Sequence, residues 1–149
     1  MIEARRTSLW ASRYDIVADG ERVASWRGSA WTSGGIVELA GRRYDVRGNL
    51  WGSTFGMVDE SGTRMASADR VGSKSWTIEA DGVTYRFRRV SPWRHEEELH
   101  AGGVRVGSVR RTSIWRSDAV ADLPGLPLAV AVFAVAVVLT KWDSDAAAG

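Results

Sequence analysis

Glycines recur along this chain every 20 to 22 residues, and this period constrains the fold more than any other feature. They stand at positions 20, 41, 62, 82, 103 and 125. A tryptophan precedes each glycine, at positions 10, 31, 51, 76, 93 and 115, and we name these six residues the tryptophan ladder. A fixed period of this length indicates a small supersecondary unit that is repeated along the chain.

Each unit has the pattern of a β-hairpin. Short runs with apolar residues at every second position flank turn sequences such as Asp19-Gly20, Ser61-Gly62 and Asp81-Gly82. Within one run, Tyr85 and Phe87 are two residues apart and so face the same side of a strand. Helical spacing is absent before residue 120. Six hairpins of antiparallel β-structure are therefore predicted.

An apolar segment follows the last glycine. Leu126 to Leu139 contains no charged or polar side chain, and Pro127 suits the start of a helix. About twelve strands closed into a barrel leave a lumen wider than their own side chains can fill. We predict a mainly β protein of one domain, residues 1–142. It comprises a closed antiparallel barrel over about 7–122, a buried helix over about 126–142 and a flexible tail at 143–149.

A membrane-spanning helix is the alternative use of this segment. The strictly apolar run is shorter than the roughly 20 residues that span a bilayer, although counting from Leu123 to Trp142 reaches that length. Arginines before the helix would then keep the β domain cytoplasmic. The chain has no cysteine, which agrees with a reducing compartment. We expect a cytoplasmic, membrane-associated protein or, in the alternative, a single-pass membrane protein.

Two late segments, together with the hairpins, carry a family resemblance. They are Val-Gly-Ser-Val-Arg-Arg at 106–111 and Ala-Asp-Leu-Pro at 121–124, which opens the apolar helix. The chain resembles the LURP-one-related proteins, a group similar to the tubby C-terminal domain and the phospholipid scramblases. This resemblance covers nearly the whole chain and implies a twelve-stranded barrel around a central helix. It also implies phospholipid recognition, but Asp143 and Asp145 are too few ligands for the calcium of a scramblase.

Catalytic and metal-binding patterns are missing from the sequence. His95 and His100 flank three glutamates, but residues five apart on a strand face opposite sides of the sheet. Ser53 lacks the glycine two positions earlier that a nucleophile elbow requires. We therefore predict a non-enzymatic protein with no metal site and no cofactor.

Four arginines are the predicted lipid-binding residues. Arg43, Arg47, Arg86 and Arg88 alternate with inward-facing residues of two equivalent hairpins, so they face outward and could hold a phosphate head group. The net charge of +2, from 20 basic and 18 acidic residues, does not favour nucleic acid. The expected partner is an anionic membrane lipid or a protein at the membrane. The ladder tryptophans are predicted to pack in the core or at strand ends.

Overall fold

Twelve strands form one closed antiparallel barrel in the computed structural model, which describes residues 1–30, 32–91, 94–112 and 118–148. The strands follow one another around the barrel in chain order, and β1 pairs with β12 to close it. The strands are β1 Ile2–Arg6, β2 Arg13–Ala18, β3 Glu21–Gly28, β4 Gly34–Leu39, β5 Arg42–Gly48, β6 Phe55–Val58, β7 Arg64–Asp69, β8 Ser75–Ala80, β9 Val83–Ser91, β10 Arg94–Ala101, β11 Val104–Arg111 and β12 Ala119–Asp122. The predicted fold class is confirmed.

Because the strands alternate in direction, successive connections alternate between the two ends of the barrel. One end, which we name the turn end, has the connections 19–20, 40–41, 59–63, 81–82, 102–103 and the segment 123–127 that leads to the helix. The opposite end, which we name the loop end, has the connections 7–12, 29–33, 49–54, 70–74, 92–93 and 112–118.

The turn end contains the repeated glycines. Asp19 and Gly20 have φ angles of 51° and 82°, the paired left-handed geometry of a tight type I′ hairpin turn. Five of the six predicted hairpins are confirmed by their strand pairing. The sixth is wrong, because Gly125 lies in the turn between β12 and the helix. Instead, β12 pairs with β1, and this pairing closes the barrel. The strand β1 begins at Ile2, so the barrel also starts earlier than the predicted residue 7.

The C-terminal helix α1, Leu128–Ala148, fills the barrel. Its side chains from Val130 to Leu139 are all buried, and small alanines at positions 131, 134 and 136 let it fit inside the strands. The helix begins two residues later than the predicted start. It also continues past Trp142, so the flexible tail predicted at 143–149 is helical from 143 to 148.

The apolar side chains of the helix belong to the hydrophobic core inside the barrel, as predicted for a buried helix. Within the described part of the chain, no helix combines the length and the apolar character needed to cross a membrane.

Candidate functional site

The loop end is where the helix emerges from the barrel and where a polar network fixes its last turns. The Asp143 carboxylate accepts hydrogen bonds from the Tyr14 hydroxyl at 3.1 Å and from Ser12, and it lies 3.3 Å from the Arg6 guanidinium. Arg111 approaches the same carboxylate at 4.0 Å. Burial and the Asp143 charge raise the pKa of Tyr14 above its ordinary value, so the phenol stays a donor. The network fixes the helix relative to β1, β2 and β11.

Two loop-end connections carry exposed apolar tips. Leu9 and Trp10 are 87% and 96% exposed, and Leu50 and Trp51 are 88% and 82% exposed. Among the described residues, these are the four most exposed large hydrophobic side chains. Such a concentration at one end of a small domain is typical of a binding surface.

The ladder predicts core or strand-end packing for its tryptophans, and this is wrong for Trp10 and Trp51. Trp76, a ladder residue inside β8, is buried as predicted. Trp26 and Trp142 lie outside the ladder, and both are buried. Three further ladder residues lie outside the described residues, namely Trp31, Trp93 and Trp115.

Charge is distributed unequally between the two ends. We compare the connections together with the strand residue on either side of each. At the loop end, the described basic residues are Arg6, Arg13, Arg70, Lys74, Arg94 and Arg111, and the acidic ones are Asp69 and Asp118. At the turn end, the basic residues are Arg42 and Arg64, and the acidic ones are Asp19, Glu21, Asp59, Glu60, Asp81 and Asp122. The last helical turns add Lys141, Asp143 and Asp145 to the loop end, which stays the positive pole of the barrel.

A small cavity of about 120 Å³ lies between the helix and strands β8 to β10, near the loop end. Glu97 is its buried carboxylate and accepts a 2.6 Å hydrogen bond from the Trp76 indole. Burial raises the pKa of Glu97 against the opposing effects of that bond and of Arg89. His95 stacks on Trp142 with ring centroids 5.2 Å apart, and burial lowers its pKa.

A larger cleft of about 550 Å³ opens on the other side of the helix end. Its walls are the connections 7–12, 29–33 and 49–54, together with the last turns of α1. The described side chains that line it are mostly hydroxyls, and Asp143 is the charged one among them. Sequence reasoning missed this cleft, because its residues come from three connections that only the barrel brings together.

The four predicted lipid-binding arginines do not form one site. Arg43 and Arg47 lie on β5, and Arg86 and Arg88 lie on β9, with three strands between them. All four are exposed on the outer face, as expected. Asp45 lies 3.6 Å from Arg43 and 3.5 Å from Arg47, which offsets part of their charge. Lipid binding by either pair stays a prediction.

The histidine pair also stays apart. His95 points to the barrel mouth, where it contacts Trp142, whereas His100 pairs with Glu98 at 3.2 Å on the outer face. No group of three or more metal-ligating side chains occurs among the described residues.

No family model, curated protein or solved structure matches this chain. The LURP-one-related resemblance therefore stays a prediction, and the function has to be argued from the geometry of the loop end.

Proposed function

We propose that the protein binds the surface of an anionic membrane with the loop end of its barrel. The exposure of Leu9, Trp10, Leu50 and Trp51 on two separate connections carries this proposal. Tryptophan is enriched at the boundary between lipid and water, because its ring is apolar and its N–H remains hydrated. A leucine next to each tryptophan supplies a side chain that gains from contact with acyl chains.

The two tips are spaced for docking on a flat surface. The connection with Leu9 and Trp10 leads into β2, and the connection with Leu50 and Trp51 leaves β5. Three strand intervals separate β2 from β5, so the two connections are about 15 Å apart along the barrel wall. Two anchors at this distance resist tilting better than one. Half-burial of an exposed tryptophan would contribute about 2.5 kcal/mol, from about 100 Å² of buried area at about 25 cal/mol per Å².

The charge pattern supports an anionic membrane as the partner. The basic loop end faces the same way as the apolar tips, while the acidic turn end faces away. Anionic lipids attract basic residues by about 1 kcal/mol for each charge close to the surface. A cytoplasmic location would present the barrel to the anionic leaflet, and the buried helix would take no part in insertion.

Vesicle binding by full-length protein with both tips altered tests the proposal. The variant Trp10→Ser with Trp51→Ser should bind vesicles of phosphatidylcholine and phosphatidylserine about a thousandfold more weakly than wild type, because it loses about 2.5 kcal/mol for each indole. Val83→Ser with Val104→Ser is the matched control, because these exposed apolar residues lie at the turn end. Cosedimentation gives the affinities, and circular dichroism checks the fold.

Wild-type affinity in the tryptophan variant would refute the proposal. Equal loss in the control variant would also refute it, because binding would then follow exposed hydrophobic area rather than the loop end. Quenching of tryptophan fluorescence by brominated lipids should be strong in wild type and weak in the tryptophan variant.

A further inference from the structure

The cleft beside the helix end has the size and position of a small-molecule site. Its volume of about 550 Å³ is within the usual range for ligand pockets and accommodates one or two sugar rings. It opens at the loop end, between the exposed connections 7–12 and 49–54. A ligand held there would lie at the surface that carries the apolar tips.

The polar lining of the cleft is rich in hydroxyls and poor in charge. Among the described residues, no lysine or arginine lines it, and its one acid, Asp143, is engaged by Arg6, Tyr14 and Ser12. A phosphate or carboxylate ligand would find no cation in this described lining, and a cation would find a carboxylate already neutralised. The lining therefore favours a ligand that is polar and uncharged.

Three hydroxyls in the cleft are available to a ligand. Thr32, Ser33 and Ser144 line it, and their side chains make no hydrogen bond within the described residues. A hydroxyl both donates and accepts, which matches the hydroxyls of a sugar. Asn49 lies beside them, but its amide is occupied by Ser53 and Thr54.

Part of the cleft wall is bare backbone. Gly28, Gly34 and Gly48 line it without side chains, so a ligand can approach the backbone closely there.

We infer that this cleft binds a neutral sugar of one or two rings, with Thr32, Ser33 and Ser144 bonding its hydroxyls. This assignment goes beyond membrane binding, because the ligand would be held by the hydroxyls of the cleft and not by the apolar tips. The sugar would come from a glycolipid head group or from a free glycan.

Titration of the full chain followed by ¹⁵N NMR tests the site. The probes are maltose, cellobiose, trehalose and mannobiose, and at least one should shift the amide signals of residues 32, 33, 49 and 144. Ser144→Leu, which places an apolar side chain in the cleft, should abolish the shifts, and Thr32→Val should weaken binding about threefold or more by removing one hydroxyl. Thr112→Val, at the loop end but outside the cleft, should bind as wild type.

Two results would overturn the sugar assignment. The first is no shift with any of the four sugars, combined with no enhanced cosedimentation on vesicles that contain diglucosyl diacylglycerol. The second is undiminished binding by Ser144→Leu. Binding to glycolipid vesicles alone would identify a glycolipid head group as the ligand. Binding to the soluble sugars as well would show that the cleft recognises the sugar without its lipid. Membrane docking is tested separately, on vesicles without sugar, so either proposal can fail alone.

Discussion

Arg6 and Arg111 reach the same carboxylate from two copies of one sequence motif. Arg5-Arg6-Thr7-Ser8-Leu9-Trp10 and Arg110-Arg111-Thr112-Ser113-Ile114-Trp115 each begin at the end of a strand, β1 or β11. Only β12 separates these strands, and both second arginines turn toward Asp143, at 3.3 Å and 4.0 Å. The guanidinium of Arg111 also lies over the Trp142 ring, 5.1 Å from its centroid. The repeat therefore holds the end of the helix from two sides.

Asp143→Ala should destabilise the barrel by about 2 kcal/mol, because two partly buried arginines and the Tyr14 hydroxyl lose their shared acceptor. Asp145→Ala is the matched control. Asp145 is half exposed and forms its ion pair with Lys141, one turn away at 3.4 Å, so its loss should cost less than about 0.5 kcal/mol. Urea unfolding followed by circular dichroism measures both, and equal costs would show that the network does not fix the helix.

Phe133→Ala should cost about 3–5 kcal/mol, because this fully buried ring lies at the centre of the helix inside the barrel and its loss leaves a cavity. That is a large part of the stability of a domain of this size. Leu128→Ala, at the exposed start of the helix, should cost about 1 kcal/mol or less. Urea midpoints of the two variants compare them. A small loss for Phe133→Ala would mean that the lumen is not packed around the helix.

The fold could be predicted because its two determinants are local in the sequence. Glycines such as Gly20 and Gly41 fix the hairpin turns, and an all-round apolar run requires burial on every side. The predicted sixth hairpin failed because the closure of a barrel joins the first strand to the last, and no short-range pattern records that pairing. The helix continues beyond its predicted end at Trp142. The hydrogen bond from Tyr14 to Asp143 holds this part of the helix against the strands, after the apolar run has ended.

The candidate site was harder to predict. The regular spacing of the ladder tryptophans predicts that they pack in the core or at strand ends. Each repeat, however, has a hairpin turn at one end of the barrel and a connection at the other, and the side chains of a connection can be exposed. The adjacent apolar residues Leu9 and Trp10 indicate exposure in the sequence itself. Neighbouring residues of a strand face opposite sides of the sheet, so both side chains could not enter the core even if this segment were a strand. Arg43 and Arg86 occupy equivalent places in two repeats, yet the barrel separates them. Equivalence in sequence predicts similar exposure and does not predict proximity.

Glu97→Gln should stabilise the protein at neutral pH. Burial raises the pKa of Glu97 above its ordinary value of 4.5, so the folded state retains a proton that the unfolded chain has lost. The contribution of protonated Glu97 to stability is therefore complete below the unfolded pKa of 4.5 and is lost as the pH rises through the folded pKa. The total loss is about 1.4 kcal/mol for each pH unit by which the folded pKa exceeds the unfolded pKa. Glutamine keeps the acceptor for the Trp76 indole but does not ionise.

The stability difference between Glu97→Gln and wild type should therefore be small at pH 4 and should grow in favour of the variant by pH 7. Urea unfolding at a series of pH values measures it. Glu79→Gln, on an exposed position of β8, is the control and should show no such growth. A variant that becomes less stable than wild type as the pH rises would mean that the carboxylate is stabilised by Arg89 more than it is penalised by burial.

Reversing charge at the loop end should weaken vesicle binding more than the same change at the turn end. Arg13→Glu with Lys74→Glu places two acids beside the apolar tips, and at about 1 kcal/mol for each charge near the surface the affinity should fall by more than about tenfold. Arg42→Glu with Arg64→Glu changes the net charge equally at the opposite end and should bind within about twofold of wild type, because the length of the barrel exceeds the screening distance of about 8 Å in physiological salt.

Cosedimentation at rising salt separates the electrostatic contribution to vesicle binding from the apolar contribution. Wild-type binding should weaken with salt toward a floor set by Trp10 and Trp51, and the loop-end variant should begin near that floor. Equal losses in the two variants would mean that net charge attracts the protein to the membrane without orienting it.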